Sequence, residues 1–273
     1  MIRFTSEKVS DSTTRIRGIV NEQMYLVEGK ERAALLDTGS GVGDLKAFVE
    51  TLTDRSVTVL LTHGHVDHAS GAVQFSDVYM NPLDRVVFMN HRSKEMRSAY
   101  LATSPRFGEV EDQDYLPNGD PDQFHPVKNG DMFDLGGLTI EAFACGGHTP
   151  GCMMYLIREE EALLSGDACN FFTMLQDTAF SLKITEYEKN LACVREQLKG
   201  KYRTIFLSHG NVIPPNSLLD EVLDVCEEIR EGTDDKIPYD FLGSHGFVAK
   251  AYGQGYMRTD GKTGNIVYSP ERI

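Results

Sequence analysis

The sequence predicts an α/β fold, an αββα sandwich of two mixed β-sheets flanked by helices, as a single domain over residues 1–273. Three observations lead there. Strand-like runs and amphipathic helical stripes alternate along the chain. The pattern divides near residue 120 into two strand-rich halves. The side chains richest in chemistry follow apolar strands, at the carboxyl ends where open α/β sheets build their sites. With 273 residues, 41% apolar and 25% charged, the chain has the length and composition to bury a sizeable core.

MYLVEGKERAALLDTG reads as strands over 24–28 and 32–36 around a turn at Gly29-Lys30. GDLKAFVETLTD places Leu45, Phe48, Val49 and Leu52 on one helical face. Val57 to Leu61 is a continuous apolar run, as in a strand covered on both faces. A loop carrying HGHVDH follows, then a short helix from Ala69 to Phe75 and a strand from Val78 to Met80. Residues 82–125 interrupt this rhythm as a helical and loop insert. Asn81 and Pro82 start it, helical segments run to about Ala102, and a Pro, Gly and Asp-rich loop covers Ser104 to Pro121. Asn-Gly and Gly-Gly turns in FHPVKNGDMFDLGGLTIEAFA mark hairpins, and MMYLI and ALLSGD add two strands. TEYEKNLACVREQLKG reads as a helix with a capping box at Thr185 and Glu188 and a stop at Gly200. TIFLSHG is a strand, NSLLDEVLDVCEEIREG a helix ending at Gly232, and the tail from about 237 is strand-rich.

The 27 basic against 41 acidic residues give a net charge of −14, which repels phosphate backbones and argues against nucleic acid as a partner. The start MIRFTSEKVS lacks the basic and apolar regions of a secretory signal, and no apolar run approaches the ~20 residues of a membrane span. The five cysteines are odd in number and form no CxxC pair, a pattern suited to reduced thiols in a cytoplasm. The expected partner is a small-molecule substrate.

Within VTVLLTHGHVDHASG, four residues able to bind metal stand in six: His63, His65, Asp67 and His68. A lone histidine in such a loop is ordinarily a cap or a solvated ring. Four after a core strand point instead to divalent ions bound through imidazole and carboxylate. Alternation lets His63 and His65 aim at one ion, while Asp67 and His68 serve a second. His148 in ACGGHTPGC lies between strands among glycines. Asp167 ends ALLSGD and His209 ends TIFLSHG. The seven make two ligand sets with one bridge available.

HGHVDH, GGHTPG, SGD and LSHG resemble, in order and spacing, the motifs of the metallo-β-lactamase superfamily from about Met24 to Asn211. The resemblance implies a first metal site of His63, His65 and His148, a second of Asp67, His68 and His209, and Asp167 as the bridge. It also implies that Asp37, in LLDTG, supports the metal loop. All seven ligand positions are filled as in the dinuclear branch that includes hydroxyacylglutathione hydrolases and lactonases. The departures narrow the subfamily. The secreted β-lactamases carry a cysteine where this chain has Asp167, and begin with a signal peptide. Hydroxyacylglutathione hydrolases append a helical basic segment where this chain reads as strands with few cations. Flavodiiron reductases use a glutamate for the second histidine, and the nucleases carry extra basic modules.

Two ions ~3.5–4 Å apart bridge a hydroxide nucleophile at neutral pH, so the expected reaction is hydrolysis of an ester, lactone, thioester or phosphodiester. Asp67 is the expected catalytic residue, orienting the hydroxide and carrying its proton to the leaving group. Zinc leads among the metals, with manganese and iron also suited. An iron-dependent oxidoreductase of the same superfamily and a non-catalytic binding protein are the alternatives.

Residues 82–125 are further expected to act as a lid. Arg92, Lys94 and Arg97 would meet an anionic substrate group there, and Tyr100 or Phe107 its apolar part. The aromatic loop ACNFFTM reads as core or as substrate wall. Cys145 and Cys169 read as small buried thiols, and His91, His125 and His245 show no ligand-like partners.

Overall fold

A computed structural model describes residues 2–273. It resolves into two compact units: Met1–Ala142 with Ser208–Gly210, and Phe143–Leu207 with Asn211–Ile273. No helix among the described residues is long and apolar enough to cross a membrane.

In the first unit the chain forms β1 (Thr5–Lys8), β2 (Thr13–Arg17), β3 (Gln23–Glu28) and β4 (Ala33–Leu36). Helix α1 (Leu45–Glu50), β5 (Val57–Leu60), α2 (Val66–Ala69) and β6 (Val78–Met80) follow. After α3 (Arg85–His91) and α4 (Lys94–Leu101), β7 (His125–Pro126) completes a seven-stranded sheet ordered β1 to β7. The first four strands pair antiparallel and the rest parallel, so the sheet is mixed. β4 and β5 are near-continuous Ala, Leu and Val runs, buried as parallel central strands are. Asp44 caps α1 by accepting from the Ala47 N–H at 2.9 Å. Leu45 and Val49 of the expected stripe are buried in a core with Leu35, Val59 and Phe88.

β8 (Met132–Asp134) and β9 (Thr139–Ala144) form the expected hairpin, and β9 carries the chain into the second unit. There β10 (Met153–Ile157), β11 (Ala162–Leu164), β12 (Thr173–Leu175), α5 (Ile184–Leu198) and β13 (Thr204–Phe206) are followed by α6 (Leu218–Glu231), β14 (Ile237–Phe241), β15 (Ser244–Val248) and β16 (Ile266–Tyr268). β13, β11, β10, β9 and β8 make a second mixed sheet, with β11 and β13 parallel. The core of this unit packs Leu191, Val194 and Leu198 of α5 with Val222, Val225 and Ile229 of α6.

Three details differ from the sequence reading. α5 starts one residue before Thr185. Its box is closed by Glu186, which accepts from the Lys183 N–H at 3.3 Å, while Glu188 reaches Arg230 at 3.4 Å. The strand-rich tail forms a third sheet, ordered β12-β16-β15-β14, rather than extending either of two. The short helix expected from Ala69 to Phe75 is a 3-10 turn over Ser70–Gln74, and a further helical turn, Val66–Ala69 with His65 at its N-cap, precedes it. Asp67 and His68 therefore ride on a helical turn and not on a free loop.

Candidate metal centre

β4 and β5 run parallel with Leu36 opposite Leu60, so the residues leaving them emerge side by side. Asp37 follows β4 and Thr62 follows β5 by two. The Thr62 N–H donates to Asp37 Oδ1 at 2.7 Å, and its hydroxyl donates to Oδ2 at 2.8 Å. Asp37 holds φ = 65°, in the left-handed region. Aspartate tolerates that conformation better than most residues, and such backbone collects at functional sites.

This one carboxylate fixes two imidazoles. His68 Nδ1 lies 2.7 Å from Asp37 Oδ2, both side chains being 1% exposed. An ionised carboxylate only accepts, so Nδ1 carries the proton and Nε2 keeps its lone pair. Thr62 Oγ1, having donated to Asp37, accepts from His63 Nδ1 at 3.0 Å, which leaves His63 Nε2 with its lone pair as well. That nitrogen lies 3.1 Å from His65 Nδ1. Ligand atoms on a tetrahedral ion with bonds of about 2.0–2.1 Å stand about 3.3 Å apart, so the spacing suits one shared ion. Gly64 sits between the two histidines and donates to Asp84 Oδ2 at 2.7 Å. A Cβ there would come within 2.8 Å of the Asp84 carbonyl oxygen, so no larger residue fits.

Asp67, His68 and His209 form a second group whose ligand atoms lie within 4.8 Å of one another. His68 Nε2 is 3.2 Å from His209 Nε2, and Asp67 Oδ2 is 3.3 Å from His209 Nε2 and 3.6 Å from His68 Nε2. The His68 nitrogen bears a lone pair and Asp67 is an acceptor, a convergence that a cation satisfies. The donor set therefore fits a divalent ion. His209 comes to this unit on Ser208–Gly210, which β3 holds: the Gln23 N–H donates to the Ser208 carbonyl at 2.8 Å, and Gln23 Nε2 donates to that of Gly210.

In the second unit His148 Nδ1 lies 2.5 Å from the Met174 carbonyl oxygen, which makes Nδ1 the donor and leaves the lone pair on Nε2. Nε2 in turn lies 3.6 Å from Asp167 Oδ2. Asp167 follows β11, as the sequence predicts. The loop carrying His148 closes on α5: a Cβ on Gly147 would lie 2.1 Å from the Tyr187 ring, and Tyr187 donates to the Ala168 carbonyl at 2.7 Å. The structure thus gathers five of the expected ligands, His63, His65, Asp67, His68 and His209, in the first unit and two, His148 and Asp167, in the second.

Three residues of the first unit make contacts that the sequence reading does not foresee, Tyr100 being expected against an apolar substrate group and His91 without ligand-like partners. His91 of α3 stacks on His65 with ring centroids 4.5 Å apart. Tyr100 of α4 donates to Asp67 Oδ2 at 2.6 Å. Glu22 is buried and accepts from the Ser40 hydroxyl at 2.7 Å and the Val20 N–H at 2.9 Å. Burial, and then the nearby charge of Asp67, push its carboxyl upward. All three depend on pairings between distant elements, for which local spacing carries no signal.

The cations expected to greet an anion are engaged inside the insert. Arg97 is 1% exposed and donates to the Gly41 carbonyl at 2.9 Å and Asn118 Oδ1 at 3.1 Å. Arg92 donates to the Gly119 carbonyl at 2.5 Å, Lys94 pairs with Asp112, and Phe107 packs beside Leu101. Cys145 and Cys169 are core thiols, and burial pushes Cys145 up to about 12. Phe171 joins the same core, while Phe172 meets the rings of Tyr239, Tyr252 and Tyr256. His245 pairs with Asp240 at 2.6 Å on an exposed hairpin.

Comparison with known proteins agrees with this geometry. The profile of the metallo-beta-lactamase superfamily matches residues 17–209. An atrochrysone carboxyl ACP thioesterase, AacuM of Aspergillus aculeatus, is 25% identical over 198 residues, covering 71% of this chain and 52% of that protein. The hydroxyacylglutathione hydrolase GloC of Haemophilus influenzae is 28% identical over 143 residues, 51% of this chain and 62% of its own. The chain thus spans between about half and under two thirds of the length of these relatives. In solved structures, the metallo-beta-lactamase from Pontibacter korlensis superposes with a TM-score of 0.59 at 18% identity, over 82% of this chain and 99% of that one. That likeness establishes the α/β fold.

Proposed function

Because this chain belongs to the metallo-beta-lactamase superfamily, we propose that it is a metal-dependent hydrolase holding two divalent ions. The observation that carries the reading is the convergence of Asp67, His68 and His209, with the His68 tautomer set by Asp37. His63 and His65 supply two ligands of the other site. His148 and Asp167 are assigned on their motifs, His148 completing the first site and Asp167 bridging. Their mutual distance and the His148 tautomer set by the Met174 carbonyl support the pair. Zinc leads among the ions, and manganese and iron suit the same donors.

Bound ions of this kind lower the pKa of water and polarise a substrate's acyl or phosphoryl oxygen. The chain's own residues do the rest. Asp37 and Thr62 keep His63 and His68 in the tautomers that face inward. Asp67 orients the attacking water and passes its proton to the leaving group. The substrate is a small molecule with an ester, lactone, thioester or phosphodiester bond. Acyl thioesters lead that panel, because two relatives are named as a thioesterase and a hydroxyacylglutathione hydrolase. The proposed compartment is the cytoplasm, which suits five free cysteines.

Elemental analysis of fully metallated protein, followed by that substrate panel, tests the reading. Two ions per chain with turnover of at least one class is the expected result. One ion per chain with oxygen-dependent turnover would favour the iron oxidoreductase, and two ions with no turnover a binding protein.

A further inference from the structure

Helix α4 belongs to the insert, yet one of its side chains reaches the ligand set. Ser93 caps the helix by accepting from the Met96 N–H at 3.1 Å. Arg97 anchors it: the buried guanidinium holds the Gly41 carbonyl and Asn118 and lies over the Tyr115 ring at 5.7 Å. Leu101 is fully buried beside Ile19 and Val42. One turn after Arg97, the Tyr100 hydroxyl donates to Asp67 Oδ2 at 2.6 Å. That same oxygen faces His209 Nε2 at 3.3 Å and His68 Nε2 at 3.6 Å.

A carboxylate oxygen has two lone-pair directions, so one can take the phenol while the other stays turned to a cation. We propose that Tyr100 is a positioning residue for the second ion: its hydroxyl holds Asp67 in the rotamer that points Oδ2 at His68 and His209. The insert thereby contributes to metal affinity. A carboxylate on a one-turn helix such as α2 swings about χ1 and χ2 unless a second contact holds it. The short, charge-assisted bond from Tyr100 is such a contact. The inference rests on the two-ion reading above.

Tyr100→Phe removes the hydroxyl and keeps the ring. The parent and variant chains, stripped of metal, are titrated with zinc against a chromophoric chelator, and with cobalt for the absorption of each bound ion. The second ion should bind the variant about 10–100-fold more weakly, the effect typical of losing a partner behind a metal ligand. Its cobalt bands should shift, while the first ion's affinity and the metal-free melting temperature stay those of the parent. Equal second-ion affinity and unchanged bands would overturn the proposal. If the parent itself takes up fewer than two ions, the two-ion reading fails first and the proposal goes with it.

Discussion

Asp37 touches His68 directly and His63 through Thr62, and so decides which nitrogen of each imidazole carries the proton. Asp37→Asn places an amide where an acceptor is required. The variant should lose about 10–100-fold in metal affinity, measured by chelator competition. Replacing His68 or His209 with Ala should cost mainly the second ion, and replacing His65 or His148 the first, as read by elemental analysis. Asp67→Asn should lower turnover by about 10²–10⁴-fold with the circular dichroism spectrum intact. Retained turnover would remove Asp67 from the catalytic role. The candidate ligands were legible because four of them crowd into six residues, a local pattern that needs no tertiary knowledge. The bond from Tyr100 to Asp67 and the roles of Gln23 and Glu22 were not, because their partners stand on other elements; Tyr100 was expected against a substrate instead.

The elements show why legibility was uneven. β4 and β5 were readable as continuous apolar runs, and α1 and α6 as amphipathic stripes. The turn from Val66 to Ala69 was not, since four residues cannot display a helical period and its middle two, Asp67 and His68, read first as candidate ligands. The tail displayed strands, but which sheet they join depends on long-range register: β12 pairs with β16 in parallel, Thr173 opposite Ile266. The insert offered a run of cations that reads as an anion handle, and the structure spends them internally. Neutralising Lys94 or Arg92 by Gln should therefore change KM for anionic substrates by less than about twofold, since an exposed pair such as Lys94 with Asp112 contributes little. A larger rise confined to anionic substrates would restore the handle. Gly147→Ala forces the Tyr187 ring aside and should destabilise the chain by about 1–3 kcal/mol, read by denaturant melting.

At the scale of the whole molecule, four buried groups, Cys145, Cys169, Cys226 and Tyr187, are held towards their neutral forms. Burial raises Cys145 to about 12 from an ordinary 9.0, and pushes Cys169, Cys226 and Tyr187 upward in the same way. The unfolded chain releases these protons near their ordinary values, the folded chain only later. The stability they contribute is thus fully present below about pH 9 and is lost as pH rises towards 12. The melting temperature of the metal-free protein should fall across that interval, and below it a thiol reagent should label exposed Cys193 ahead of the four buried cysteines. Ser208–Gly210, counted with the first unit although its chain neighbours belong to the second, has a different kind of consequence. During synthesis the strands of residues 2–142 leave the ribosome long before the tripeptide that docks on Gln23. At 5–20 residues per second the delay is roughly 3–13 s. Through that interval the sheet can pair, but Asp67 and His68 wait for His209, the third member of their group. On the proposed two-ion reading, the second ion can be held by all three of these residues only after the tripeptide has been made.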